Sequence, residues 1–253
     1  MQIDLSNKVA LVTGASGELG RVISRTLASC GADVAIHYHS SEFKAQAVCD
    51  EIIAMGRRAT VHRADITQSD EVHQMRDDIV NELGEPDIVV LNAVAQYNWT
   101  SVLEQPLTDY ESQFQSCVMQ AVHLAKAFVP AMVAKNSGRF IAINTECAMQ
   151  CTPSQSAYVS GKRGMDGVIR VLAREVGQHN ITVNQVAPGW MVSDKFREDY
   201  DASTCEYSKK VALGHRGEDK DIAYAVAFFA SEYARFITGT YLPVCGGNVM
   251  PGI

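Results

Sequence analysis

The chain reads as an α/β protein with a doubly wound parallel sheet of about seven strands and helices on both faces. Three observations carry this reading. Apolar, strand-like runs alternate with helical patterns from one end of the chain to the other. The runs are continuously apolar rather than alternating, as strands covered on both faces require. A glycine-rich turn, Thr13-Gly14-Ala15-Ser16-Gly17-Glu18-Leu19-Gly20, joins the first run to the first helical pattern.

In order, Lys8–Val12 is the first strand, followed by Leu19, Val22, Ile23, Thr26 and Leu27 at helical spacing, which stop before Gly31. Asp33–His37 precedes a helix through Phe43, Val48 and Ile52 that ends near Gly56. Ala59–His62 leads to Asp65 and a helix through Val72, Met75 and Ile79 that ends near Gly84. Asp87–Leu91 leads, past an aromatic loop, to a long helix from about 108 to 133. Arg139–Asn144 is the fifth strand, followed by a helix that runs to about Val176. Ile181–Val186 is the sixth strand, Asp221–Ser231 the last helix and Gly239–Val244 the seventh strand. This is a Rossmann-type arrangement, which binds ligands at strand C-termini where the winding reverses. No repeat, low-complexity run or linker divides the chain, so residues 1–253 are expected to form a single domain, in which the stretch at about 190–215 is a long loop.

Composition narrows the function. The 253 residues are 47% apolar and 20% charged, with a formal net charge of −7 and no basic cluster, which argues against a nucleic-acid partner. The longest apolar run, Ile222–Ala230, is far short of the ~18 residues of a membrane span, and the N-terminus lacks a targeting pattern. The seven cysteines show no Cys-x-x-Cys pair, no disulfide framework and no zinc spacing, so a cytoplasmic, reducing setting and no metal are expected.

Two stretches carry chemistry. Glycines in the 13–20 turn permit close approach of a pyrophosphate to a helix N-terminus, whose free N–H groups attract anions. The bland reading is a tight turn that binds nothing. Further on, Tyr158 and Lys162 stand four apart on one helix face. A free phenol ionises near ~10, and an ammonium held ~4 Å away at an effective dielectric of ~20 supplies the ~4 kcal/mol that would bring it toward neutrality. Thr145, thirteen residues before Tyr158, ends the fifth apolar run, so its hydroxyl is placed to face that helix. A Tyr-x-x-x-Lys spacing also arises by chance in helices; the rest of the chain must give it meaning.

The glycine turn, Asn92-Ala93 after the fourth strand, Tyr158/Lys162, Asn184-x-Val186-x-Pro188-Gly189 and Gly246-Gly247 occur in one order across nearly the whole chain. In this the chain resembles the short-chain dehydrogenase/reductase superfamily. Val34–Ser41 and Leu213–Ala223 give it the flavour of the acyl-carrier-protein-ketoreductase-like branch. The resemblance implies an oxidoreductase that moves hydride between a nicotinamide cofactor and a ketone or secondary alcohol. Tyr158 would be the acid/base, Lys162 would lower its pKa and hold the ribose, and Thr145 would stand for the usual Ser. Gly14, Ser16, Gly17, Leu19 and Gly20 would form the phosphate turn, Asp65 would contact adenine, and Asn92 would support the ribose. Pro188, Gly189 and Ser193 would border the carboxamide. A homotetramer, paired through the long helix and the Tyr158 helix, is likewise implied.

The chain departs from the family pattern at several places. Cys117 stands where an Asn normally holds a water near the lysine, Val94 follows Asn92-Ala93 in place of Gly, and Cys245 replaces an Asp. Glu18 stands where the branch has Gly; a carboxylate ~5 Å from a phosphate costs ~3 kcal/mol at a dielectric of ~20, so either Glu18 points away or the cofactor binds weakly. These departures motivate an alternative, a non-catalytic or weakly active nucleotide-binding member of the same fold.

NAD-specific relatives carry an acid at the end of the second strand, about 20 residues after the turn. Here Tyr38-His39-Ser40-Ser41 offers none, and His39 with Ser40 suits a 2′-phosphate, so NADP(H) is favoured over NAD(H). A small-molecule carbonyl or alcohol would meet residues 95–99, 146–155 and 190–207, which include Gln96, Tyr97, Trp99, Met149, Gln155, Trp190, Met191 and Phe196. The other histidines, His37 among them, read as packing or surface residues, and the Met and Phe residues at helical spacing as core.

Overall fold

Each of the seven runs read as strands becomes one, and the computed structural model, which describes residues 2–193, 200–201 and 203–250, pairs all seven in parallel. The strands are β1 (Val9–Val12), β2 (Asp33–Tyr38), β3 (Ala59–Arg63), β4 (Ile88–Leu91), β5 (Gly138–Ile143), β6 (Ile181–Pro188) and β7 (Tyr241–Val244), in spatial order β3-β2-β1-β4-β5-β6-β7. β1, β2, β4 and β5 are buried along their whole length, which is why these runs carry no polar alternation. The order reverses between β1 and β4, so the C-terminal ends of these two strands open the crevice where a ligand can enter.

The helices are α1 (Glu18–Ser29), α2 (Glu42–Ala54), α3 (Ser69–Glu82), α4 (Leu107–Gln113), α5 (Gln120–Lys135), the short α6 (Cys147–Gln150), α7 (Ser156–Val176) and α8 (Asp219–Ala230). Ile23 and Leu27 of α1 join Val226 and Phe229 of α8 in the core on one face of the sheet. Leu124, Phe128 and Met132 of α5 join Met165 and Ile169 of α7 on the other. Each such aliphatic or aromatic side chain removed from water contributes about 1.5–3 kcal/mol.

Two expectations need correction. Phe43 is 85% exposed and Phe114 51%, so helical spacing alone did not place these rings in the core. The long helix is also not uniform: between α4 and α5 the segment Phe114–Met119 winds as a π-helix. The stretch Leu107–Lys135 is long and apolar enough, by length and composition alone, to cross a membrane. Here its α5 part lies against β4 and β5, with Ala121, Leu124, Phe128 and Met132 buried.

The wide π turn fits because α7 presents glycines to it. A Cβ on Gly161 would lie 2.8 Å from the Gln113 carbonyl oxygen, and one on Gly164 2.8 Å from Val118 Cγ2. Small residues there let α7, which carries Tyr158 and Lys162, approach α4 and the π turn closely.

Candidate active site

The expected site residues gather at the C-terminal edge of the sheet because each follows a strand: Gly14–Gly20 after β1, His39 and Ser40 after β2, Asp65 after β3, Asn92 after β4 and Thr145 after β5. Pro188 closes β6, with Gly189 and Ser193 just beyond it. Phe196 lies outside the described residues.

The turn after β1 is held from three sides. Gly14 adopts φ +63°, a conformation that favours glycine. Its N–H donates to His37 Nδ1 at 3.0 Å, and His37 Nε2 in turn donates to the Ala64 carbonyl at 2.9 Å. Asn92 Nδ2 donates to the carbonyls of Thr13 at 3.0 Å and Gly14 at 3.3 Å. Thr13 Oγ1 accepts from the N–H groups of Asn92 and Ala93 at 3.0 and 3.1 Å and donates to Gln120 Oε1 at 2.9 Å. Gln120 Nε2 donates to the Ala93 carbonyl at 2.9 Å. Sequence reasoning missed His37 and Gln120; a Gln on the buried face of an apolar helix was the available signal for the second.

Burial lowers the His37 pKa to about 4, so its ring is the neutral acceptor that Gly14 needs. An unfolded imidazole titrates near ~6.5. The unfolded chain therefore takes up a proton that the folded one refuses, and stability is fully present above pH ~6.5 and falls as pH drops toward 4, by about 3 kcal/mol. Urea melts from pH 7.5 to 4.5 should show this slope in the parent and a shallower one in His37→Asn, whose amide oxygen can still accept from Gly14.

The residues present fit a dinucleotide. Gly17, the N-cap of α1, caps nothing with a side chain, which leaves the first-turn amides to an anion. A Cβ on Gly20 would press into the Gly14 carbonyl and lie 2.8 Å from Asn92 Nδ2, so α1 meets the turn at glycine distance. Ser16 and Leu19 flank this approach, both half-buried. Glu18 is paired with Arg21 at 2.8 Å, and Val94 packs against the α5–α7 core. Asp65 accepts from the Thr67 N–H at 2.9 Å and hydroxyl at 2.7 Å; against the opposing effect of burial, these bonds hold its carboxyl below the usual range. His39 and Ser40 are exposed at the end of β2. Beside them Arg63, at the end of β3 opposite Tyr38, donates to the His39 carbonyl at 3.4 Å. This guanidinium was not anticipated, because it belongs to the neighbouring strand.

At the catalytic end, Thr145 is 6% exposed, its hydroxyl accepts from the Cys147 N–H at 3.2 Å, and it acts on the Tyr158 phenol to favour the charged form. Lys162, 3% exposed, lies with Nζ 5.8 Å from the centre of the Tyr158 ring and donates to the Ile143 carbonyl at 2.6 Å. The balance at the phenol runs opposite to the acidification that the spacing leads one to expect. Burial pushes Tyr158 above the ordinary phenol range despite the opposing effect of Thr145, and burial lowers Lys162. Desolvation is the largest influence on both groups.

The surroundings are aromatic. Trp99 stacks on Tyr158 with ring centres 5.9 Å apart, and the Tyr158 N–H donates to Tyr97 Oη at 2.7 Å. Cys117 sits in the π turn, fully buried, with Sγ 3.9 Å from Gln113 Oε1. Gln96 is exposed, Met149 and Gln155 half-buried and Trp190 58% exposed. Met191 instead packs against the α1–α8 core.

A family model described as enoyl-(acyl carrier protein) reductase matches residues 14–248, the whole span from the glycine turn to the end of the site. The chain belongs to the short-chain dehydrogenase/reductase family. This short-chain dehydrogenase/reductase is 35% identical to the 3-oxoacyl-[acyl-carrier-protein] reductase FabG of Staphylococcus epidermidis, over 96% of this chain and all of that one. It is 36% identical to the FabG of Escherichia coli, over 98% of this chain and all of that one. Among solved structures it is similar to a blue fluorescent protein from a metagenomic library in complex with NADPH, with a TM-score of 0.88, 34% identity and coverage of 98% and 100% of the two chains. A 7α-hydroxysteroid dehydrogenase complexed with NADH and 7-oxo-glycochenodeoxycholic acid gives a TM-score of 0.88 at 29% identity, covering 99% and 97%. The protein is an oxidoreductase acting on a small-molecule ketone or secondary alcohol, with a nicotinamide cofactor supplying or accepting the hydride.

Proposed function

We propose that this short-chain dehydrogenase/reductase works as an NADPH-dependent carbonyl reductase in which Tyr158 protonates the substrate oxygen. The observation that carries the reading is the gathering of Thr145, Tyr158 and Lys162 at the C-terminal edge of the sheet, with Lys162 Nζ 5.8 Å from the centre of the Tyr158 ring. Burial favours the neutral phenol, and that is the form that donates a proton to an alkoxide. Thr145 and Tyr158 would hold the carbonyl oxygen between two hydroxyls as charge develops on it. Lys162, lowered by burial, is a readier proton source for the phenolate than a solvated lysine.

Of the residues that motivated the non-catalytic alternative, Glu18 is neutralised by its pair with Arg21 and Val94 packs into the α5–α7 core; that supports the catalytic reading. Gly14, Ser16, Gly17, Leu19, Gly20, Asp65, Asn92, Pro188, Gly189 and Ser193 would line the dinucleotide, and Cys117 would lie behind Lys162. His39, Ser40 and Arg63 support NADPH over NADH, since a guanidinium and two polar side chains suit a 2′-phosphate. We further propose a homotetramer, supported by the outward apolar groove that Val129, Val133, Val168 and Leu172 form along α5 and α7. A reducing, cytoplasmic setting is consistent with seven free thiols.

The test is NADPH oxidation against a panel led by a 3-oxoacyl thioester, the class named by the FabG relatives, with a ring ketone of the steroid type as the second arm. NADPH binding with no turnover of any carbonyl would favour the non-catalytic alternative. Removing one charge-assisted contact costs about 1.5–3 kcal/mol, so Arg63→Ala should weaken NADPH at least about tenfold and leave NADH nearly unchanged. Equal losses for both cofactors, measured by fluorescence titration, would remove Arg63 from the phosphate site.

A further inference from the structure

Immediately after Thr145 the chain buries a carboxylate that the mechanism above does not use. Glu146 is 3% exposed. Its N–H donates to the Pro188 carbonyl at 2.9 Å, Oε1 accepts from Tyr207 Oη at 2.7 Å, and Oε2 accepts from Asn248 Nδ2 at 3.0 Å. One residue therefore joins the catalytic strand, the end of β6, the segment after it and the C-terminal stretch. Such a charge is buried only where its bonds are made, and here both oxygens have a donor.

Tyr207 passes the constraint onward. Its oxygen accepts from the Trp190 N–H at 2.9 Å and fills the space a side chain on Gly189 would need. The Trp190 and Tyr207 rings meet edge to face at 5.7 Å. The Arg216 guanidinium lies 4.1 Å from the centre of the Trp190 ring, and its Nε donates to the Trp190 carbonyl at 2.9 Å.

We infer that Glu146 is a positioning residue: through Tyr207 it fixes Gly189 and Trp190 beside the reacting groups, and it thereby sets substrate affinity rather than the chemical step. This rests on the proposed reading of the site, but the clasp itself is measurable without turnover.

The experiment compares the parent with Glu146→Val, Glu146→Gln and Tyr207→Phe. Trypsin cleavage after Lys209 or Lys210, located by mass, reads release of the segment that Tyr207 anchors. Losing a hydrogen bond to a charged group is worth ten- to a hundredfold, so Tyr207→Phe and Glu146→Val should be cut at least about tenfold faster. Glu146→Gln should stay near the parent, because its amide oxygen accepts from Tyr207 and Asn248 can rotate its amide to match. With any carbonyl the parent reduces, Tyr207→Phe should raise KM about tenfold with kcat little changed. Unchanged cleavage in Tyr207→Phe, or a fall in kcat with KM unchanged, would overturn the inference. If Glu146→Val does not fold, Tyr207→Phe still decides. If no carbonyl is turned over, the functional reading fails while the proteolysis still judges the clasp.

Discussion

Tyr158→Phe should lower carbonyl reduction by a factor of about 10²–10⁴, the usual contribution of a positioned general acid, with NADPH still bound. The substitution removes one oxygen from a ring that stays packed against Trp99, so the crevice should keep its shape while losing its proton donor. The parent should also show a directional pH signature. Because burial raises the phenol, its protonated form persists across the neutral range, and reduction should be level from about pH 6 to 9. The reverse oxidation needs the phenolate, so it should climb with pH over the same interval. NADPH absorbance in both directions measures this. A variant as active as the parent would remove Tyr158 from the mechanism.

Gly20→Ala should have the second large effect. The added methyl meets the backbone of Gly14 and lies 2.8 Å from Asn92 Nδ2 and 2.9 Å from Ala15 Cα. These are not flexible chain ends. The turn must shift or α1 must move away from β4, and overpacking of this kind costs about 1–3 kcal/mol. The expected results are a clearly lower melting temperature and loss of measurable NADPH binding, read by thermal melts and fluorescence titration. Parental stability and affinity in the Gly20→Ala protein would show that the turn does not need its close approach.

Much of this molecule could be read in advance, and the reasons are local. The strands were legible because most are short apolar runs closed by Gly, Asp or Asn, and all seven lie within a few residues of the expected bounds. Gly14, Asn92, Thr145 and Tyr158 were legible because strand ends and helix spacing fix them. What escaped depends on contacts between distant segments. His37 reaches Gly14 across 23 residues and Tyr207 reaches Glu146 across 61, and no periodicity encodes either. Arg63 became visible only when β2 and β3 were paired in register. The direction of the Tyr158 shift was misjudged for a related reason: a Tyr-x-x-x-Lys spacing reports nearness, whereas the pKa depends on how much water both groups have lost. The exposed Phe43 shows the converse error, since periodicity marks a face without saying that anything covers it.

Lys162 illustrates what such a site asks of the fold. Its amine has been taken almost wholly out of solvent, with the Ile143 carbonyl close at hand but no carboxylate among its hydrogen-bond partners in the described residues. Hydration lost by an ammonium is only partly replaced by a neutral acceptor. A protein shaped for rigidity alone would place a methionine there, and Lys162→Met should melt later than the parent even as turnover collapses. The helix that carries the reaction is thus, at that position, a standing source of native-state tension.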